Sequence, residues 1–137
     1  MKISFFLSMI PPTVTHQQKK VHVTNGKPVH YEPPRLAAAR SKLTANLAGH
    51  VPDQKMKGPV RLMVKWCFPM TGKHKDGEWK TSRPDTDNLQ KLLKDCMTDV
   101  GFWKDDAQVC SEIVEKFWAA VPGIFISAEE LEADDDT

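Results

Sequence analysis

The chain has 137 residues and a mass of 15.5 kDa, enough for one domain with one core. With 40% hydrophobic and 27% charged residues it has the make-up of an ordinary globular protein, and no apolar run approaches the roughly 18 residues that would span a bilayer. The net charge of +1 conceals an asymmetry: residues 128–137 carry six acids and no Lys or Arg, which leaves residues 1–127 at +7. A basic body suits a protein that binds a polyanion. The acidic stretch 128–137 reads as a separate, disordered, solubilising tail.

In chain order, residues 2–10 read as a first strand ending at Pro11-Pro12, since the apolar run is short and carries no signal-peptide cleavage pattern. Residues 13–18 are polar and read as loop. Lys20–Thr24 and Lys27–Tyr31 flank Asn25-Gly26, a hairpin signal because both turn residues tolerate the positive φ of a type I′ turn. Pro28 makes the second arm short or an edge.

Beyond Pro33-Pro34, residues 36–47 are Ala-rich, with Leu36, Ala39, Leu43 and Leu47 near helical spacing, and the helix is expected to stop near Gly49. Residues 51–58 read as a polar linker. From Pro59 to Phe68, Val60, Leu62, Val64, Trp66 and Phe68 alternate with more polar positions, which predicts a half-buried strand ended by Pro69. Residues 70–83 have loop composition, with little to bury and four cations: Lys73, Lys75, Lys80 and Arg83.

A helix over 85–100 is predicted by the apolar stripe Leu89, Leu92, Leu93, Cys96, Met97 and Val100, with Gly101 as its stop. Residues 108–118 alternate as a strand. Pro122-Gly123 turns the chain, and 124–127 read as a last short strand. The order strand, hairpin, helix, strand, helix, strand implies an α/β (α+β) domain: one mixed sheet with two main helices packed on it. Cys67, Cys96 and Cys110, odd in number and widely spaced, show no zinc pattern and read as core thiols in a reducing compartment. The five histidines show no paired spacing and read as surface or structural groups.

The segment Arg83-Pro84-Asp85-Thr86-Asp87-Asn88-Leu89-Gln90-Lys91, followed later by Asp105-Asp106, carries the chemistry. Two carboxylates two residues apart open a helix, a lysine stands one turn on, and a second acidic pair precedes a strand. Carboxylate oxygens suit a hard cation such as Mg²⁺, and an ammonium offsets charge building on a phosphate. Asp87 and Lys91 fall about 40° apart, away from the apolar stripe. Blander roles exist for each: an i,i+4 surface pair for Asp87 and Lys91, a helix N-cap for Asp85, a turn for Asp105 and Asp106.

The same residues, with Gly101-Phe102-Trp103-Lys104-Asp105-Asp106-Ala107-Gln108-Val109, resemble the RusA family of Holliday-junction resolvases. The likeness is close over 83–109 and looser but collinear over much of the rest. It implies a domain over 1–127 and a small homodimeric, Mg²⁺-dependent endonuclease (Mn²⁺ able to substitute) in the cytoplasm of a bacterium or phage-infected cell. Its implied substrate is four-way junction DNA, cut by paired symmetric nicks in recombination and repair, with no organic cofactor and no membrane. The family's two motif aspartates fall on Asp85 and Asp87, its lysine on Lys91 and its third carboxylate on Asp106, so Asp85, Asp87 and Asp106 are the expected metal ligands. Asp105 would be a supporting neighbour. Lys73, Lys75, Lys80 and Arg83 are the expected DNA contacts; relatives can carry a denser arginine run there, whereas here Asp76 and Glu78 intervene. Trp79 in that loop either stacks on an unpaired base or packs the loop onto the body. Two other readings stand beside this one: a non-catalytic branched-DNA-binding dimer, and a less selective flap or fork nuclease.

Overall fold

The computed structural model describes residues 1–15, 20–24, 27–31 and 34–131, with 20–24 and 27–31 described by their backbone. The elements are β1 (Lys2–Leu7), β2 (Lys20–Thr24), β3 (Lys27–Tyr31), α1 (Pro34–Ala48), β4 (Val60–Pro69), α2 (Thr86–Val100), β5 (Val109–Ala119) and β6 (Gly123–Glu130), with a 3₁₀ turn at Asp106–Gln108.

Four of the strands form one mixed sheet in the order β1-β6-β4-β5. β4 lies antiparallel to β6 and parallel to β5, and β6 pairs antiparallel with β1. A parallel pair cannot be closed by a tight turn, so α2 serves as the crossover between β4 and β5. β2 and β3 form a separate antiparallel hairpin, registered from Lys20↔Tyr31 to Thr24↔Lys27. Asn25-Gly26, which would make its turn, and residues 16–19 lie outside the described residues. The α+β architecture read from the sequence is therefore present.

Period-2 alternation sets the core. Val60, Leu62, Val64, Trp66 and Phe68 of β4 are buried and Arg61 between them is exposed. They meet Leu89, Leu92, Leu93, Cys96 and Met97 of α2 and Leu36, Leu43 and Leu47 of α1 in one cluster. α1 opens with Pro34, whose missing N–H costs nothing at a helix start. α2 closes in a Schellman motif: Gly101 takes φ 102°, its N–H and that of Phe102 return to the carbonyls of Thr98 and Met97, and the Phe102 ring enters the core.

Three expectations are corrected. β1 ends at Leu7, although Met9 beyond it is buried. Cys110 is exposed and Cys67 half-buried, so only Cys96 is a core thiol. β6 continues through Ala128, Glu129 and Glu130, three residues into the stretch expected to be tail. The reason is pairing: those residues continue the ladders to β1 and β4, and the Glu130 N–H reaches the Met1 carbonyl. The Glu130 carboxylate in turn accepts N–H bonds from Gly58 and Lys57, each 2.7 Å, which hold its pKa below the usual 4.5.

A Cβ at Gly123 would stand 2.0 Å from Phe6 Cζ and 2.6 Å from the Leu7 carbonyl oxygen. Gly123→Ala should therefore cost about 2 kcal/mol or more in denaturant unfolding, and adding Phe6→Ala should not restore the loss, because the backbone clash remains. A carboxylate whose folded pKa is depressed stabilises the fold above its unfolded pKa and loses that contribution as pH falls through the folded value. Glu130→Gln should thus melt lower than the parent at pH 7, with the difference closing as the pH is taken below 4.5.

Candidate active site

The chain enters α2 through a braced turn. The Lys116 ammonium of β5 donates to the carbonyls of Ser82 and Pro84, both at 2.7 Å, and so pins the backbone just before Asp85. Asp85 has the extended N-cap backbone but its side chain makes no cap bond, so the cap role does not use up its carboxylate. Asp87 lies in the first turn of α2, where the helix dipole favours an anion, and Lys91 lies one turn further on. Both side chains are exposed.

Asp106 is set by the other end of the crossover. Phe102 and Trp103 are fully buried, and Met56 of the linker bonds the Phe102 carbonyl and bridges Trp103. The Asp105 carboxylate accepts the Ala107 N–H and caps the 3₁₀ turn. Gln108 completes the brace: its Oε1 accepts from Lys104 N and Asp105 N, and its Nε2 donates to the Met56 and Gly58 carbonyls. Asp105 thus has the turn role considered for it, while the Asp106 carboxylate has no partner among the described residues.

These two segments meet in a cleft of about 230 Å³ lined by Asp87, Gln90, Lys91, Lys94, Asp106 and Glu112. The structure brings Asp87, Lys91 and Asp106 into one cleft; Asp85 is not among its lining residues. No cluster of three His, Cys, Asp or Glu able by itself to hold a metal occurs among the described residues. The side chains of Asp85, Asp87, Lys91 and Asp106 make no hydrogen bond or ion pair among the described residues, so the Asp87–Lys91 surface pair is absent. Lys94 and Glu112 do pair closely, tying α2 to β5 across the cleft.

Sequence reasoning missed Gln90, Lys94, Glu112, Lys116 and Gln108. Gln90 and Gln108 read as ordinary polar positions, and the others become visible only once β5 is known to lie beside α2. The donor chemistry fits a hard divalent cation: Mg²⁺ is commonly held by one or two carboxylates with waters and substrate oxygens making up the rest, and Asp87 and Asp106 supply two in one cleft.

The basic loop is more ordered than its composition suggests. Residues 77–80 add to the outer edge of β5: Gly77 N and Glu78 O bond Trp118, Lys80 N bonds the Lys116 carbonyl, and Trp79 bridges Phe117. The intervening acids are structural: Asp76 accepts the Ala120 N–H, and Glu78 pairs closely with His74, whose ring stacks on Trp118 at 4.3 Å. Trp79 stacks on Phe117 at 4.6 Å yet stays 60% exposed. The expectation for Lys80 as a surface DNA contact is corrected. It is 8% exposed, its ammonium sits 4.4 Å from the Trp118 ring and 5.1 Å from the Phe68 ring, and it donates to Ser82 Oγ at 2.6 Å. Burial, then the nearby Lys116 charge, lowers its pKa. Lys73, Lys75 and Arg83 remain exposed.

Removing the brace should act locally. Lys116→Met is expected to cost about 1–2 kcal/mol of stability and to raise amide exchange of Leu89, which bonds the Asp85 carbonyl, while the last turns of α2 stay protected. Uniform exchange along the helix would contradict this.

Comparison with known proteins identifies the family. The sequence model of the family described as Endodeoxyribonuclease RusA matches residues 10–129. A crossover junction endodeoxyribonuclease rusA of Lactococcus phage r1t is 33% identical over 111 residues, 80% of this chain and 83% of that one. The uncharacterized protein YqaN of Bacillus subtilis (strain 168) is 32% identical over 123 residues, 81% and 85% of the two chains. A crossover junction endodeoxyribonuclease rusA of Enterobacteria phage 82 is 33% identical over 79 residues, 58% of each. Matched over nearly its whole described length, the chain belongs to the RusA family of endodeoxyribonucleases.

Proposed function

We propose that the protein is a crossover junction endodeoxyribonuclease that hydrolyses phosphodiesters of four-way DNA junctions with a divalent cation, Mg²⁺ by preference, and acts as a homodimer. The observation that carries the reading is the cleft itself: in a chain of this family, Asp87, Lys91 and Asp106 come from the two ends of one crossover and line a single cleft, with no side-chain hydrogen bond or ion pair among the described residues.

In this reading Asp87 and Asp106 are the oxygen donors for the cation. Asp85 joins them from the N-terminus of α2, which is supported by its carboxylate making no cap bond. A divalent cation, when bound, supplies charge neutralisation at the phosphate and acidification of water. Lys91 opposes the negative charge that grows on the phosphoryl oxygens as water adds at phosphorus and the 3′-oxygen departs. Lys94 keeps Glu112 paired and so out of competition with the phosphate. Lys73, Lys75 and Arg83, with the exposed face of Trp79, form the DNA-contacting surface. A four-way junction offers two symmetry-related strands, which a twofold dimer matches with one cleft per subunit and paired nicks.

The test is cleavage of a synthetic mobile four-way junction with and without Mg²⁺, with Asp87→Asn as control. Paired symmetric nicks that need both cation and Asp87 are expected, with junction binding retained in the variant. Binding without cleavage in every condition would leave a branched-DNA-binding module, and faster cutting of flaps than junctions would leave a less selective nuclease. Salt dependence separates the cations: each lost phosphate contact should flatten the slope of log affinity against log salt by about 0.9. Lys73→Met, Lys75→Met and Arg83→Met should each show this, and Lys80→Met should not.

A further inference from the structure

Gln90 stands between Asp87 and Lys91 on α2 and lines the same cleft, yet it is 3% exposed. Its Oε1 accepts from the indole Nε1 of Trp66, on β4, at 3.0 Å. An indole N–H is a donor only, so it dictates which way round the amide lies: Oε1 must face Trp66, and Nε2 is the end left over. That Nε2, with two N–H donors and under 1 Å² of accessible surface, has no partner among the described residues. Among the described residues Gln90 is the one with such an orphan, and it lines the cleft of the candidate catalytic carboxylates.

Buried donors are almost always satisfied, and an orphan at a cleft calls for a ligand that supplies an acceptor. The carboxylates of the cleft do not take the role in this structure, since Asp87 and Asp106 make no bond to it. The non-bridging oxygens of a phosphodiester are pure acceptors and would bring what is missing. We infer that the Gln90 amide Nε2 donates to a non-bridging oxygen of the scissile phosphate, and that Trp66 is the positioning residue that fixes its orientation from within the core. This rests on the reading of the cleft as a phosphodiester-cleaving site. A neutral donor complements Lys91: it needs no counter-charge, and the Trp66 bond orients it before the substrate arrives.

The variants are Gln90→Met, which keeps the side-chain length and removes the donor; Trp66→Phe, which removes the indole N–H; and the double variant, which leaves neither group orphaned and so stays informative should the first alone fail to fold. With junction DNA and Mg²⁺, Gln90→Met and the double variant should lose about 10–100-fold in kcat with junction affinity within about twofold. Trp66→Phe should lower kcat and leave KM unchanged. Sulfur in place of the contacted non-bridging oxygen should slow the parent protein more than it slows Gln90→Met. Independently of turnover, the Gln90 side-chain NH₂ signals in ¹H–¹⁵N spectra should shift when junction DNA and Mg²⁺ are added. Parental rates in the double variant, an equal sulfur effect in both proteins, or unmoved NH₂ signals would overturn the inference. A shift of those signals in a parent protein that cuts no junction would keep the phosphate contact and discard the nuclease reading instead.

Discussion

The parallel pairing of β4 with β5 is the constraint on which the site depends. Two parallel neighbours need a crossover, and α2 fills it with fifteen residues whose apolar stripe is consumed by the sheet and α1. The face left over carries Asp87, Lys91 and Lys94, and it lies beside the start of β5, where Glu112 and the turn holding Asp106 emerge. Chemistry-bearing groups far apart in sequence are neighbours because the core leaves the helix no other face to present.

The core also reaches outward to fix the entrances to that crossover. Upstream, Lys116 of β5 holds the carbonyls before Asp85, and the edge of β5 takes up residues 77–80 as an extra pairing segment. Downstream, Trp103 and Phe102 anchor the turn and Gln108 saturates its backbone groups. Each brace consumes a polar or charged side chain that a reading of composition would have assigned to the surface. Lys80 is the sharpest case: one of four cations in a basic loop, it is buried with its ammonium over the rings of Phe68 and Trp118.

Much of the fold was legible. The alternation in β4, the stripe of α2 and the glycine after it have simple periods, and the elements stand where those periods put them. The motif around Asp85, Asp87, Lys91 and Asp106 was legible as a resemblance, and three of its four residues line one cleft. What the chain did not disclose is non-local. The extension of β6 through Glu130 follows from pairing with β1 and β4, which the acidic composition of that stretch masks. The order of the 70–83 loop comes from bonds to an edge strand some forty residues on, such as Asp76 to Ala120. Gln90 looks like any polar helical residue until Trp66 is seen behind it.

The formal charges lining the cleft give the proposed chemistry its final step. Asp87, Asp106 and Glu112 against Lys91 and Lys94 leave −1, and the Lys94–Glu112 pair cancels internally, so the imbalance rests on Asp87 and Asp106 opposite Lys91. That residue of negative charge repels a DNA strand from an empty cleft. A single divalent cation turns it to +1, and one phosphodiester then returns it to zero. On the proposed reading these charges set an order of binding, cation first and strand second. Asp85, two residues before Asp87 and with no side-chain cap bond, would on the same reading add a further negative charge for a cation to offset.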